Sequence, residues 1–321
     1  MSFAIPDVRQ AVRRWRAKPA FALTAILTLT LGIGVVTAIF SVVDAVVLRP
    51  LPWPSAERLV TPWIVRPQWR MNPALAASAE RGSLSFPNFR ELQQAKSLSS
   101  VAIWATRSPI LDGPSPEEVP ALEVSSTFLD TLGVRVIAGR NFHAPEDDDP
   151  GGAVIISFEG WQRRFGGDPE IVGRTVTLEE RSRTIVGVLP PRFRFQGDPP
   201  EFLLPLGVAD KRGRNRGNHT HRGLARLADG VTLEQAHLET EPILRMDEDA
   251  QERTSMLVPL AEYQLAESRR PLLALLGAAT LLMLVACANV AGLLLGDVRT
   301  RRTELAVRTA LGAGRWTITR Q

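Results

Sequence analysis

Two long uncharged apolar segments constrain this chain more than any other feature of its sequence. Residues 19–43 and 271–296 contain no charged side chain and are rich in Leu, Ile, Val and Ala. A bilayer core of about 30 Å is spanned by roughly 20 helical residues, whereas an apolar run of about 10–14 residues is more typical of a buried core helix. The sequence therefore predicts two transmembrane helices, over residues 19–48 and 271–296.

The basic residues flank these two segments. Residues 1–18 carry five basic side chains and one acid, and residues 297–321 carry six basic side chains and two acids. Basic residues near the end of a transmembrane helix favour the cytoplasmic side. We therefore expect a multi-pass membrane protein with both termini cytoplasmic and residues 49–270 on the opposite side of the membrane. The expected partner of the basic flanks is membrane lipid, and no nucleic acid is expected.

A cleaved signal peptide is the alternative interpretation of the first segment. Its start is basic, and Val36, Thr37 and Ala38 loosely resemble a cleavage site. The apolar run is nevertheless longer than the roughly 7–15 residues of a signal peptide. The only cysteine, Cys287, lies inside the second segment, so no disulfide is expected in the domain between the segments.

Both flanks carry patterns of their own. Before the first segment, apolar residues recur at helical spacing among arginines, which predicts an amphipathic helix over residues 1–18 in the inner membrane interface, with a solvated basic leader as the alternative. In the second segment Ala288, Gly292 and Gly296 are four residues apart, which lets another helix approach closely. Asn289 is a polar amide in an apolar run, so we expect it to face a partner helix rather than lipid.

The segment between the two helices has the pattern of an α+β domain. Its outer pieces, residues 55–108 and 219–260, each contain strand and helix signals, while residues 109–218 are richer in strand signals. The expected fold class is thus membrane α-helical plus an α+β domain between the two helices, in which a strand-rich lobe is inserted into a discontinuous one.

No motif of a known catalytic site occurs in the sequence. There is no Gly-x-x-x-x-Gly-Lys-Ser/Thr, so the chain has no P-loop for ATP. Gly-x-Ser-x-Gly, His-Glu-x-x-His and paired Cys-x-x-Cys motifs are also missing. We therefore expect no enzyme activity, no catalytic residue, no cofactor and no metal.

Three weaker signals have two interpretations each. His219 and His221 have the spacing of two metal ligands on one side of a strand, but their polar linker favours loop histidines. The acidic run 146–149 lacks the alternating spacing of a calcium loop, which favours a solvated turn. Trp161 with the arginines 163–164 could stack on a ligand, although a core tryptophan beside exposed arginines is favoured.

The C-terminal segment RTRRTELAVRTALGAGRWTITRQ has an apolar face and a charged face, and Gly312 and Gly314 divide it into two helical pieces. A short charged helix at this place is either a surface for a cytoplasmic partner or a helix lying on the membrane.

Several stretches of the chain, in the right order and over nearly its whole length, resemble one family. They are TAIFSVVDAVVLRPLP, VSSTFLDTLGV, WQRRFGGD, TIVGVLPPRFRF, ARLADGVTLEQA, ACANVAGLLL and ELAVRTALGAGR. The chain resembles the MacB/FtsX-type permeases of ABC transporters, among them the MacB-like and duplicated orphan permeases.

The resemblance implies a protein of the bacterial inner membrane in which residues 49–270 form an α+β periplasmic core domain. Residues 55–108 and 219–260 would be its porter-like lobe, and residues 109–218 the inserted lobe. It also implies a coupling helix within residues 297–321 that docks on a separate ABC ATPase subunit. Its coupling residues would be Arg302, Glu304, Arg308, Gly312 and Arg315. Such permeases act by mechanotransmission, export or extract a substrate, and work with a second permease protomer or module and in some cases a periplasmic partner protein.

Permeases of this kind have at least four membrane helices, and the chain reaches Gln321 where a third would begin. We therefore expect a fragment of a permease or an incomplete one. The alternative function is a two-helix membrane sensor with a periplasmic ligand-binding domain. A membrane-anchored enzyme has no supporting motif. The substrate is left open, since macrolides, peptides, lipoproteins and lipids all suit the family.

Overall fold

The structure is a computed structural model that describes residues 19–44, 51–73, 75–148, 152–197, 199–207, 215–245 and 253–300. Its residues fall into two compact units, which we call the helical unit (within 1–49 and 265–321) and the sheet unit (50–264). The helices predicted for residues 1–18 and 302–315 lie outside the described residues.

Two long helices carry the apolar segments. Helix α1 spans Pro19–Val43. The last helix, α8, spans Leu260–Thr300 and is 41 residues long. Both are long and apolar enough to cross a membrane, over Ile26–Val43 and Pro271–Gly292, which agrees with the two predicted spans.

Helix α8 begins before the apolar run, which hydropathy alone does not predict, because hydropathy identifies only the part of a helix that can lie in lipid. The stretch AEYQLAESRR before Pro271 is polar, yet it is rich in good helix formers. The strand before α8 ends at Pro259, and Leu260 begins the helix directly.

The sheet unit is built on a mixed sheet of twelve strands among the described residues. The strands are β1 Leu59–Val65, β2 Leu98–Arg107, β3 Ile110–Leu111, β4 Glu117–Glu118, β5 Ala121–Val124, β6 Ala138–Gly139, β7 Ala153–Ile156, β8 Thr175–Leu178, β9 Arg181–Val188, β10 Phe202–Pro205, β11 Arg222–Leu227 and β12 Thr254–Pro259. Their order is β12-β1-β11-β2-β5-β10-β7-β9-β8-β3-β4, and β6 pairs with β9. The pairs β5–β10 and β7–β9 are parallel.

The sheet consists of two groups of neighbouring strands, and each group comes from a different part of the chain. Strands β12, β1, β11 and β2 come from residues 59–107 and 222–259, and the strands from β5 to β4 come from residues 110–205. All of them belong to one sheet, because β2 pairs with β5 over Trp104–Arg107. The division of this unit into a porter-like lobe and an inserted lobe stays a prediction.

Shorter helices cover the sheet, and their ends follow local sequence signals. They are α2 Ala76–Ala79, α3 Phe86–Leu92, α4 Phe128–Leu132, α5 Pro145–Asp148, α6 Phe158–Phe165 and α7 Leu233–Arg245. Ser85 caps α3 in a capping box with Asn88, and the Ser157 hydroxyl accepts a hydrogen bond from the Gly160 N–H at the start of α6. Gly166, in the left-handed region, ends α6.

Buried side chains form three apolar clusters in the sheet unit. One contains Phe89 and Leu92 of α3 together with Ala236 and Leu244 of α7. A second, which we call the central core, includes Trp104, Phe128, Phe195, Leu224 and Leu260. The third lies among β7, β9 and β10.

Candidate functional site

The two membrane helices meet at Gly32 of α1 and Ala286 of α8. A Cβ atom placed on Gly32 would lie 3.4 Å from the Cβ of Ala286 and 3.4 Å from the Sδ of Met283. Gly32 is buried, as are Ala279 and Ala286, so small residues allow the two backbones to approach closely. Ala279, Met283 and Ala286 recur at intervals of four and three residues, which is the spacing of a helix-packing seam.

The residues predicted to pack against another helix lie away from this seam. Ala288, Asn289 and Gly292 are exposed, and a Cβ atom placed on Gly292 would meet nothing within 4 Å. Of Gly296 the structure describes only its place in α8. The packing role of these residues therefore stays a prediction about a helix of another module or chain. The coupling residues Arg302, Glu304, Arg308, Gly312 and Arg315 lie outside the described residues.

The first turn of α8 is anchored in the sheet unit. Leu260 is fully buried in the central core, and Tyr263 packs against that core. The Tyr263 ring lies 5.1 Å from the Trp63 ring of β1, and its hydroxyl oxygen accepts a hydrogen bond from Nη1 of Arg222 at 3.2 Å. The helix that carries the second membrane span therefore begins among the strands of the sheet.

Two cation–π contacts complete this anchor. The Arg222 guanidinium lies 5.1 Å from the Trp104 ring, and the Arg81 guanidinium lies 5.7 Å from the Tyr263 ring. The register of the sheet brings these groups together, because Arg222 of β11 pairs with Trp104 of β2. We call the five residues Trp63, Arg81, Trp104, Arg222 and Tyr263 the α8 anchor. Sequence reasoning missed it, since its members are up to 200 positions apart.

A polar chain links His221, which directly precedes β11, to Glu123 of β5 and Arg107 of β2. The Nε2 atom of His221 lies 3.2 Å from Oε1 of Glu123, and the Nε of Arg107 donates to Oε2 of Glu123 at 2.6 Å. Burial raises the pKa of the Glu123 carboxyl, but hydrogen bonds from His221 and Arg107 outweigh it and leave that pKa below its ordinary value. This carboxylate is therefore charged and paired within the sheet.

His219 lies in a different environment, beside two arginines. Its Nδ1 atom lies 3.0 Å from the Gly217 carbonyl oxygen. Burial and the charges of Arg66 and Arg253 lower the His219 pKa to about 4. Burial and the charge of Arg253 also lower the Arg66 pKa, to about 10. The imidazole is thus neutral at physiological pH.

The two histidines predicted as loop residues therefore differ. His219 lies in the loop before β11, but His221 is buried and forms a backbone bridge with Leu84. They have separate partners, and among the described residues no group of three or more His, Cys, Asp or Glu is placed to hold a metal ion.

Two further expectations for the sheet unit were wrong. The acidic run was expected to be solvated, but Asp147 is buried and accepts hydrogen bonds from the Ser126 N–H at 2.6 Å and the Ser126 hydroxyl at 2.8 Å. Arg164 was expected to be exposed, but it pairs with the buried Glu201. In both cases a partner distant in sequence reduces the exposure of a charged side chain: Asp147 is buried and Arg164 is half-buried.

Comparison with known proteins gives a consistent picture. The sequence model of the family described as MacB-like periplasmic core domain matches residues 22–243. The macrolide export ATP-binding/permease protein MacB of Chromobacterium violaceum is 24% identical to the chain over 192 residues, which is 59% of this chain and 30% of that protein. The chain thus spans about 30% of the length of this curated relative.

Among solved structures, the periplasmic region of MacB from Actinobacillus actinomycetemcomitans has a similar fold. The TM-score is 0.51 at 13% identity, and the match covers 67% of this chain and 94% of that one. Two apolar helices that flank a mixed α/β domain of this kind confirm the predicted fold class.

Proposed function

Because the chain belongs to the family of MacB-like periplasmic core domains, we propose that it is a permease subunit of an ABC transporter, or part of one, driven by a separate ATPase subunit. The chain is a membrane protein with an extracytoplasmic domain of the permease type. In the proposed mechanism, ATP-driven movement of the membrane helices reshapes the periplasmic domain, which exports or extracts a substrate on that side. The chain itself performs no covalent chemistry in this proposal.

The observation that best supports mechanotransmission is that α8 is one continuous helix from Leu260 to Thr300. Its first turn is anchored by Leu260 and Tyr263, and the same helix contains the apolar span Pro271–Gly292. Pro271 removes one backbone hydrogen bond, and the helix nevertheless continues through it. A displacement of the span therefore has a helical connection to the strands that hold the α8 anchor.

The proposed contact with the ATPase is the charged segment after α8. Residues 302–315 carry Arg302, Glu304, Arg308 and Arg315, and charged side chains at a docking surface set orientation and specificity. The proposal therefore predicts an interface that is sensitive to charge reversal at Glu304 and Arg308.

The test is a pull-down of the full chain co-expressed with an ABC ATPase subunit from the same organism. We expect co-purification with the unmodified chain and loss of most of the bound ATPase for the double variant Glu304→Lys/Arg308→Glu. The matched control is Arg320→Glu, which reverses a charge outside residues 302–315. Equal ATPase recovery from the double variant and the control would contradict the coupling proposal.

Topology is a second part of the proposal. Reporter fusions at Arg16 and Arg308 are expected to report the cytoplasm, and a fusion at Gly167 the periplasm. The support is the basic character of both flanks. An inverted pattern would contradict the orientation while leaving family membership intact.

A second permease protomer or module is proposed to cover the exposed face of α8. Asn289 is exposed within an apolar span, and an amide in a bilayer is costly without a hydrogen-bond partner. The adjacent Ala288 and Gly292 leave room for a close helix contact.

A further inference from the structure

A cleft of about 490 Å³ lies in the sheet unit, apart from the α8 anchor. It is formed by the chain before β5, the first turns of α6 and residues 192–194 and 199–201. Its volume lies within the range of roughly 300–1,000 Å³ of small-molecule sites. Its walls combine apolar and cationic groups.

The segment RFRF at residues 192–195 builds one wall by alternation. Phe193 and Phe195 are buried, while Arg192 and Arg194 are exposed. The Phe195 ring contacts the Phe128 ring edge-on at a centroid distance of 4.9 Å, and the Phe193 ring lies 5.6 Å from the Trp53 ring. Packing of the two phenylalanines therefore fixes the backbone from which the arginines project.

The backbone of Arg192 is held in an unusual conformation. Its φ is +61°, in the left-handed region that non-glycine residues seldom adopt. The Oε1 atom of Glu159 accepts a hydrogen bond from the Arg192 N–H at 2.8 Å, which contributes to holding this conformation. Strain of this kind persists where the surroundings impose it, and it is concentrated at functional sites.

Each acidic side chain of the cleft has a hydrogen-bond partner, with one exception, but only Glu201 is paired with cations. Glu201 is buried and pairs with Arg163 and Arg164. The Glu159 carboxylate accepts the Arg192 N–H. The exception is Glu118, which is exposed on β4.

Unlike Glu159 and Glu201, the two arginines of the RFRF segment have side chains that are not paired among the described residues. Within the described part of the chain, the guanidinium groups of Arg192 and Arg194 have no hydrogen-bond or ion-pair partner. The cleft therefore offers two cationic groups beside a third, that of Arg163, whose charge is shared with Glu201. Unpaired guanidinium groups are strong donors to carboxylate and phosphate.

The remaining lining is mostly apolar: Val119, Pro120, Phe193, Pro199 and Pro200 line the cleft together with the two small polar residues Ser108 and Ser157. We propose that this cleft binds an amphiphilic anion, a phosphate or carboxylate group on an apolar body. The anionic group lies between Arg192 and Arg194, and the apolar body lies against the prolines. This inference does not depend on coupling to an ATPase.

The test measures binding to the full chain in nanodiscs by isothermal titration calorimetry, with empty nanodiscs subtracted. The probes are 2-naphthyl phosphate, the neutral 2-naphthol, inorganic phosphate and the soluble lipid dihexanoyl phosphatidate. We expect 2-naphthyl phosphate to bind about tenfold or more tightly than 2-naphthol, because charged hydrogen bonds are worth that much. Inorganic phosphate is expected to bind more weakly, since it lacks the apolar body.

Variants locate the site. Arg194→Gln and the double variant Arg192→Gln/Arg194→Gln are expected to weaken 2-naphthyl phosphate binding about tenfold or more. Glu118→Gln is expected to strengthen it, because it removes a nearby negative charge. The matched control Arg135→Gln changes an exposed arginine outside the cleft and is expected to bind as the unmodified chain does. Unchanged circular dichroism shows that each variant folds.

Each outcome decides the proposal. Binding that depends on Arg194 supports it, and tighter binding of dihexanoyl phosphatidate than of 2-naphthyl phosphate identifies a lipid as the source of the anion. Equal binding of 2-naphthol and 2-naphthyl phosphate, equal binding by Arg194→Gln and Arg135→Gln, or no binding of either amphiphilic anion would overturn it.

Discussion

The ring of Tyr263, in the first turn of α8, lies 5.1 Å from the ring of Trp63 on β1, at an interplanar angle of 53°. Trp63 is buried, so this contact joins the start of a membrane-spanning helix to the interior of the sheet unit. The same tyrosine accepts a hydrogen bond from Arg222 of β11. One side chain thus connects α8 to two neighbouring strands.

Truncation of this side chain is expected to destabilise the sheet unit in steps. Tyr263→Phe removes the hydrogen bond with Arg222 and is expected to cost about 1 kcal/mol. Tyr263→Ala also removes the contact with Trp63 and is expected to cost about 1–3 kcal/mol. Thermal unfolding followed by near-ultraviolet circular dichroism measures both. Leu238→Ala, at an exposed apolar residue, is the control and is expected to change little. Equal midpoints for all three would contradict the role of the anchor.

The membrane seam predicts a specific cross-link. A Cβ at position 32 would lie 3.4 Å from the Cβ of Ala286, close to the roughly 3.5–4.5 Å of a disulfide. In a chain with Cys287→Ala, the pair Gly32→Cys/Ala286→Cys is expected to form an intramolecular disulfide on mild oxidation, seen as a mobility shift without reductant. The control pair Gly34→Cys/Ala286→Cys is expected to stay reduced, since a Cβ at position 34 meets nothing within 4 Å. Cross-linking of the control alone would place the seam elsewhere.

Because the pKa of His219 is lowered in the folded protein, we expect the protein to lose stability at mildly acidic pH. The His219 pKa falls from 6.5 to about 4 on folding, because burial and the neighbouring Arg66 and Arg253 disfavour the imidazolium. Between pH 6.5 and about 4, the imidazole of His219 is therefore protonated in the unfolded chain but neutral in the folded one. The stability that neutral His219 contributes to the folded state is present above pH 6.5 and is lost as the pH falls toward 4. His219→Gln is expected to flatten the dependence of the unfolding midpoint on pH in this window. A curve parallel to that of the unmodified chain would show that another group is responsible.

A side chain at position 139 is expected to destabilise the sheet unit strongly, because the backbone there leaves no room for a Cβ atom. The φ of Gly139 is +74°, and a Cβ there would overlap the Val186 carbonyl oxygen and lie 2.9 Å from the Gly187 Cα. Gly139→Ala is therefore expected to destabilise the sheet unit by at least about 2 kcal/mol. Gly113→Ala is the matched control, because its Cβ would meet nothing within 4 Å, and it is expected to stay within about 0.5 kcal/mol of the unmodified chain. Chemical unfolding in the same detergent compares the two, and similar midpoints would contradict the prediction.

Local features of this protein were predictable because their causes are local. Ser85 and Ser157 mark helix starts by accepting hydrogen bonds from backbone groups three residues later, and Gly166 ends a helix through its own backbone conformation. Such signals lie within a few residues of the element they define. The α+β character of the sheet unit followed from strand and helix patterns of the same local kind.

The candidate site was predictable only in part. The small residues predicted to pack, Ala288, Gly292 and Gly296, are not those at the seam, and their role stays a prediction. The pairing of Gly32 with Ala286 depends on which faces of two helices meet, and many Gly and Ala residues in both segments offer alternatives. Asp147 belongs to a run that is acidic in sequence, and only its contact with Ser126 shows that it is buried. The alternation in RFRF is visible in the sequence, whereas the cleft it faces is not.

The sequence by itself determined the two membrane spans, since their length and lack of charge leave few other environments for them. It also determined the α+β class of the domain between them. Only the tertiary structure decided that α8 begins at Leu260 in the central core and that Tyr263 meets Trp63, 200 positions earlier. Hydropathy and secondary-structure propensity depend on residues that are neighbours in sequence. Contacts such as that of Tyr263 with Trp63 depend instead on the register of paired strands and on the packing of side chains across a sheet.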